Sequence, residues 1–196
     1  MRLLKKRSVR FYVGFIMVLA LTIGGSAIAA FADSGTGATV GVSGGTLSES
    51  APTAVAATPV TLSGDDQTTT YSLALTVNDP RGTAAGWHMT MTSTTFTGIN
   101  PANTLSTTAS SILGAPSVSC ISGGNHCTSP DDSGVTYPYA VPAGSPAPAG
   151  TVFFDASSGH GLGKFSITPT ITVSVPANAI ADTYSSTVSI AISTGP

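Results

Sequence analysis

Charge is what this sequence has least of. Of its 196 residues 8% are charged, with 7 Lys+Arg against 9 Asp+Glu, and it holds 3 His, 2 Cys and 1 Trp. So few basic groups exclude a basic nucleic-acid binder. The low charge also excludes a charged coiled coil and argues against a charge-solvated disordered tail. Three histidines leave little from which to assemble an acid–base site. What the chain has instead is hydroxyl and glycine: 26 Ser, 29 Thr and 22 Gly. With moderate Val and Ile, that is the composition of an all-β extracellular protein.

The basic residues are concentrated at one end. Arg2, Lys5, Lys6, Arg7 and Arg10 precede an uncharged apolar run from Phe11 to Ile23, followed by GGSAIAAFAD. A positive segment, an apolar core and A-x-A sites describe a secretory signal peptide. Cleavage fits after Ala29 or after Ala32, and the second makes residues 1–32 the leader. An uncleaved anchor is the weaker reading, because Gly24, Gly25 and Ser26 dilute the end of the run. The exported chain then keeps Arg81 and Lys164 against nine carboxylates, a formal charge of −7. Charge attraction to nucleic acid or to anionic wall polymers is excluded as its main binding mode, and no membrane contact is expected after cleavage.

Residues 33–44 are Gly/Ser/Thr-rich without periodicity and read as a flexible leader. From residue 45 onward, runs with period two alternate with Gly, Pro, Asn and Asp clusters. Tyr71, Leu73, Leu75 and Val77 share one face of a strand; so do Trp87, Met89 and Met91. Phe165, Ile167, Ile171, Val173 and Val175 share a face of KFSITPTITVSV, and Tyr184, Val188, Ile190 and Ile192 share one near the C-terminus. Shorter candidates are 46–49, 58–62, 118–121, 135–141 and 151–156. Eight or nine strands with turns between them predict an antiparallel β-sandwich over 45–196, with the signal as the one helix. Pro169 should mark an edge position or a bulge, and 141–150 a Pro-stiffened loop.

Candidate chemistry is sparse. Cys120 and Cys127 close a Gly-containing loop in an exported chain, which predicts a disulfide. C-x6-C with His126 is not a zinc spacing, and no metal or cofactor is expected. GHGLGK at 159–164 lacks the first Gly and the Ser or Thr of a phosphate loop. His88, His126 and His160 sit in no hydrolase motif. Asp79, Asp155 and Asp182 offer no preferred carboxylate pair. Asp65-Asp66 and Asp131-Asp132 read as turn residues rather than calcium ligands. The chain is therefore not expected to be an enzyme. Trp87 is either a core anchor or an aromatic platform for a sugar ring, and its strand position favours the core.

Two stretches carry a family resemblance. LTVNDPRGTAAGWHMTMTSTTFTG (75–98) resembles the first motif region of the WxL cell-surface domain of Gram-positive bacteria, a V-x-D-x-R-G-x-x-x-G-W segment leading into W-x-L. Residues 161–196 are similar to that family's C-terminal region, with a Val-Pro-Ala step and a Thr-Tyr pair before the last strand. Here the first W-x-L is Trp87-His88-Met89, and Ile190-Ala191-Ile192 stands where the family has its second. Those replacements keep apolar strand positions. The resemblance implies a β-rich domain held non-covalently on peptidoglycan, often beside other surface proteins, without catalysis. The candidate ligand contacts are Trp87 and Met89, with Arg81 as the lone positive group beside them, and Ile190 and Ile192 hold the second-motif positions. ISTGP at the C-terminus carries no sorting signal, as expected of non-covalent retention. A self- or partner-assembling surface subunit is the second expectation, and a glycan-active enzyme the third.

Overall fold

The alternation of apolar with Ser or Thr residues folds as the period-two pattern predicts, into strands that bury one face. The computed structural model describes residues 37–196; the expected signal peptide and helix over 1–32 lie outside the described residues. Val42–Pro196 form one compact unit. It is all-β and sandwich-like, and its one helical element among the described residues is a 3-10 turn at Gly123–Asn125.

Among the described residues twelve strands form three sheets. One sheet holds β1 (Ser48–Ser50), β3 (Leu75–Asp79), β10 (Gly163–Thr168) and β6 (Ser117–Cys120), in that spatial order. A second holds β2 (Gln67–Ser72), β11 (Thr170–Val175), β5 (Ser110–Ile112) and β7 (Tyr139–Ala140). In the third, β4 (Trp87–Thr94) pairs on one side with β12 (Val188–Thr194). On its other side β4 pairs with β9 (Thr151–Ala156) and, in parallel, with β8 (Ala143–Gly144). The 141–150 segment is thus not wholly a loop. No strand forms over 58–62, and the run expected at 135–141 shortens to Tyr139–Ala140.

The first two sheets share one long antiparallel ribbon. Its register runs without a shift from Gly163↔Asp79 through Ile167↔Leu75 and Thr170↔Ser72 to Val175↔Gln67. At its middle Leu73 N–H donates to Pro169 O at 3.1 Å. The reciprocal bond is missing because proline has no N–H. Pro169 is therefore neither at an edge nor in a bulge of this ribbon, and it is buried. On the other flank the chain leaves the ladder between β5 and β6, so the strand switches neighbours there. Alternation survives the break: Phe165, Ile167, Ile171 and Val173 all face the core, as do Tyr71, Leu73, Leu75 and Val77.

β9 meets β4 with a register shift, Met89↔Phe154 followed by Thr90↔Val152. The extra residue, Phe153, is a bulge that lets two consecutive phenylalanines enter the core. Cys120 and Cys127 are disulfide-bonded, tying the end of β6 to the loop that follows it.

Candidate functional site

The D-x-R-G-x-x-x-G-W segment folds into a closed structural knot. Asp79 ends β3 and is 2% exposed. Arg81 Nε donates to its Oδ1 at 2.8 Å and Nη2 to its Oδ2 at 2.9 Å, a two-pronged ion pair. Arg81 N–H also donates to Oδ1, at 3.2 Å, and Nη2 reaches on to Gly86 O at 2.8 Å. Burial alone pushes the Asp79 carboxyl up, but the Arg81 hydrogen bonds and charge outweigh it and hold the group below the usual range. Gly86 has φ +73, and a Cβ there would run into Ala156 O. Both facts explain the glycine before the tryptophan.

Trp87 has no exposed surface. Its indole N–H donates to Gly161 O at 2.9 Å, and its ring stacks on Phe154 with centroids 5.9 Å apart. Gly161, at φ +74, lies so close to the indole that a Cβ would overlap it. Met89 is equally buried. In this placement Trp87 and Met89 have no face to offer a ligand, and Arg81 has spent its fork on Asp79 and Gly86. In the fold Trp87 and Met89 fill the core, and Arg81 ties the end of β3 to Gly86.

Ile190 and Ile192 are half-buried and pack against the same core. They lie directly across from the first motif: Ile190↔Met91 and Ile192↔Met89. The structure therefore brings the two motif segments together, from opposite ends of the domain, as one strand pair. Because side chains alternate along a strand, burying Met89, Met91, Ile190 and Ile192 turns His88, Thr90, Ser189, Ala191 and Ser193 to the opposite face. Ser189, Ala191 and Ser193 are exposed, while His88 and Thr90 are half-buried. His88 Nδ1 is 2.7 Å from Gly195 O.

A second polar group was not foreseen from sequence. Asp132 takes φ +48, and its Oδ2 is 2.9 Å from the Tyr137 hydroxyl, which is also 2.8 Å from Phe153 O. Burial pushes the Asp132 carboxyl up to about 6, against the lowering pull of its Tyr137 and Asp155 N–H hydrogen bonds and with a smaller upward push from the charges of Asp155 and Asp131. A protonated Asp132 can donate to the Tyr137 oxygen while Tyr137 donates to Phe153 O, so the neutral form satisfies every partner. Burial, then the Asp132 contact, raises the Tyr137 hydroxyl. Neighbouring Asp131 accepts from Ser157 N–H and Oγ–H, and the Ser157 hydroxyl chiefly holds it down at about 2.

The other acids considered for catalysis each cap backbone. Asp155 accepts from Gly134 N–H at 3.0 and 3.2 Å. Asp182 accepts from Ile99, Asn100 and Thr183 N–H and from Asn103 Nδ2. His160 Nδ1 lies 3.1 Å from Ser129 O. Two shallow depressions, of about 340 and 400 Å³, are present, and neither brings a histidine and a carboxylate together. Among the described residues no group of three or more His, Cys, Asp and Glu side chains could hold a metal ion. Nor is any helix among them long and apolar enough to cross a membrane.

No family model, no curated protein and no solved structure matches this chain.

Proposed function

We propose that this is a secreted, non-catalytic surface protein of the WxL type, held non-covalently on peptidoglycan. The observation that carries the reading is the pairing of β4 with β12, which joins the two motif-like segments in register. Segments so far apart in sequence form one unit, so their joint presence has a common structural purpose. The signal-like leader supplies export, and the acidic exported chain directs binding towards hydrogen bonds rather than charge pairing.

The buried motif positions fix the strand pair, and the intervening residues do the contacting. Thr90, Ser189 and Ser193 present hydroxyls that donate and accept, which suits the hydroxyl and amide groups of wall glycan and peptide. Many weak, water-tolerant bonds give reversible retention. The test is co-sedimentation of the exported protein with purified sacculi, comparing wild type with Ser189→Glu/Ser193→Glu. Wild type should pellet and the variant should remain in solution with an unchanged melting temperature. Equal pelleting would move the contact to another face, and no pelleting of either would overturn the reading.

A further inference from the structure

β12 is an edge strand of a kind that folded proteins usually guard. It pairs with β4 alone. Thr94 N–H donates to Thr187 O at 2.9 Å and Gly195 N–H to Gly86 O at 3.2 Å. Hydrogen-bonded pairs recur at every second residue of an antiparallel ladder. The N–H and C=O groups of Val188, Ile190, Ile192 and Thr194 therefore turn away from β4. Among the described residues no hydrogen bond reaches them. β1 comes near β12 but exchanges no ladder bond with it.

The usual edge protections are missing. From Thr183 to Gly195 there is no charged residue and no proline, and Val, Ile and Thr favour the extended backbone. By contrast β1, at the edge of another sheet, is three residues long and carries Glu49 at its centre.

A matching segment lies near the start of the described residues. Thr39-Val40-Gly41-Val42-Ser43 holds three β-branched residues, and Val40 and Val42 are 88% and 91% exposed. No hydrogen bond among the described residues involves this segment. The chain becomes anchored just after it, where Gly45 N–H donates to Pro80 O at 3.0 Å and Gly44 packs on Arg81. Arg81 holds Gly86 O, which also accepts from Gly195 N–H.

We propose that β12 receives the Thr39–Ser43 segment of a second copy of this chain by β-strand addition. The added strand satisfies the outward backbone groups of β12 and brings two exposed valines onto Val188, Ile190 and Ile192. Neither partner carries a charge that would oppose the contact. Each copy carries one such segment and one such edge, so reciprocal exchange between two copies closes the assembly as a pair. This inference goes beyond wall attachment and does not depend on it.

The test expresses the full chain with its own leader in a secreting host and purifies the exported product. Light scattering over a wide dilution series should give twice the chain mass at high concentration and the chain mass on dilution. Deleting residues 39–43, or Val40→Asp/Val42→Asp, should remove the dimer while the melting curve of the remaining domain stays in place. Hydrogen exchange should show protection of the Ile190 and Ile192 amides in wild type and its loss in both variants. A wild type that stays monomeric at every concentration overturns the proposal, as does a dimer that survives both changes.

Discussion

Met89 of β4 and Ile192 of β12 face each other directly across the strand pair, and Met91 and Ile190 repeat the arrangement two residues on. Met89 is fully buried, and Ile192 covers it from an edge strand that is itself half-buried. The stability of the last strand therefore depends on the first motif. Met89→Ala should cost about 2–5 kcal/mol, and Ile192→Ala less. The two changes should be non-additive by about 0.5–1 kcal/mol in a double-mutant cycle read by chemical denaturation. Full additivity would mean the pair shares no packing.

Trp87 gives a second test, and as the single tryptophan it reports on itself. Its emission should be blue-shifted in the native state and move red on unfolding. Trp87→Ala should destabilise the domain by about 3–5 kcal/mol. Trp87→Phe, which keeps the stack on Phe154 but leaves Gly161 O without its donor, should cost about 1–3 kcal/mol. Circular dichroism melts measure both.

The Asp79–Arg81 pair should behave as a buried unit. Arg81→Ala leaves the Asp79 carboxylate buried without its fork and should cost about 3–5 kcal/mol. Arg81→Lys keeps the charge but not the two-pronged geometry, and should recover only part of that loss. Because the folded-state carboxyl is held below its ordinary 3.8, its contribution is present above that value. It is lost as pH falls towards the folded pKa. In Asp79→Asn that acid-side dependence should flatten.

Asp132 has the opposite sign. Its folded-state pKa of about 6 exceeds the ordinary 3.8. The stability it contributes is fully present below pH 3.8 and is lost as pH rises through 6. Asp132→Asn should remove the slope between those values and raise the melting temperature at pH 7. Asparagine also tolerates the left-handed backbone at this position. A melting temperature at pH 7 below that of wild type would contradict the assignment.

Much of this architecture can be read in the sequence where one face of a long strand is apolar. Phe165, Ile167, Ile171 and Val173 announce both their strand and its buried side. Short strands give no such signal: β7 and β8 have two residues each, too few to show a period. Pro169 was expected at an edge or bulge because proline breaks ladders. Its single lost bond is absorbed where the neighbouring strand changes, which only the three-dimensional register reveals. The disulfide is legible in the short, glycine-containing spacing of Cys120 and Cys127. The purpose of Asp79 and Arg81 did not, since D-x-R reads equally as a ligand-binding pair until the guanidinium is seen folded back on the carboxylate. Asp132 was legible only as a turn residue, because its partner Tyr137 and the carbonyl of Phe153 meet it through the fold.

The proposed wall retention is tested most directly by incubating the purified protein without residues 1–32 with peptidoglycan sacculi at low and at high salt, then measuring the pelleted fraction. The account predicts pelleting at both, because a chain with Lys164 as its one cation outside the Asp79 pair among the described residues cannot rely on charge attraction. Protein left in the supernatant at low salt, or recovered only with the membrane fraction of the native cell, would contradict it.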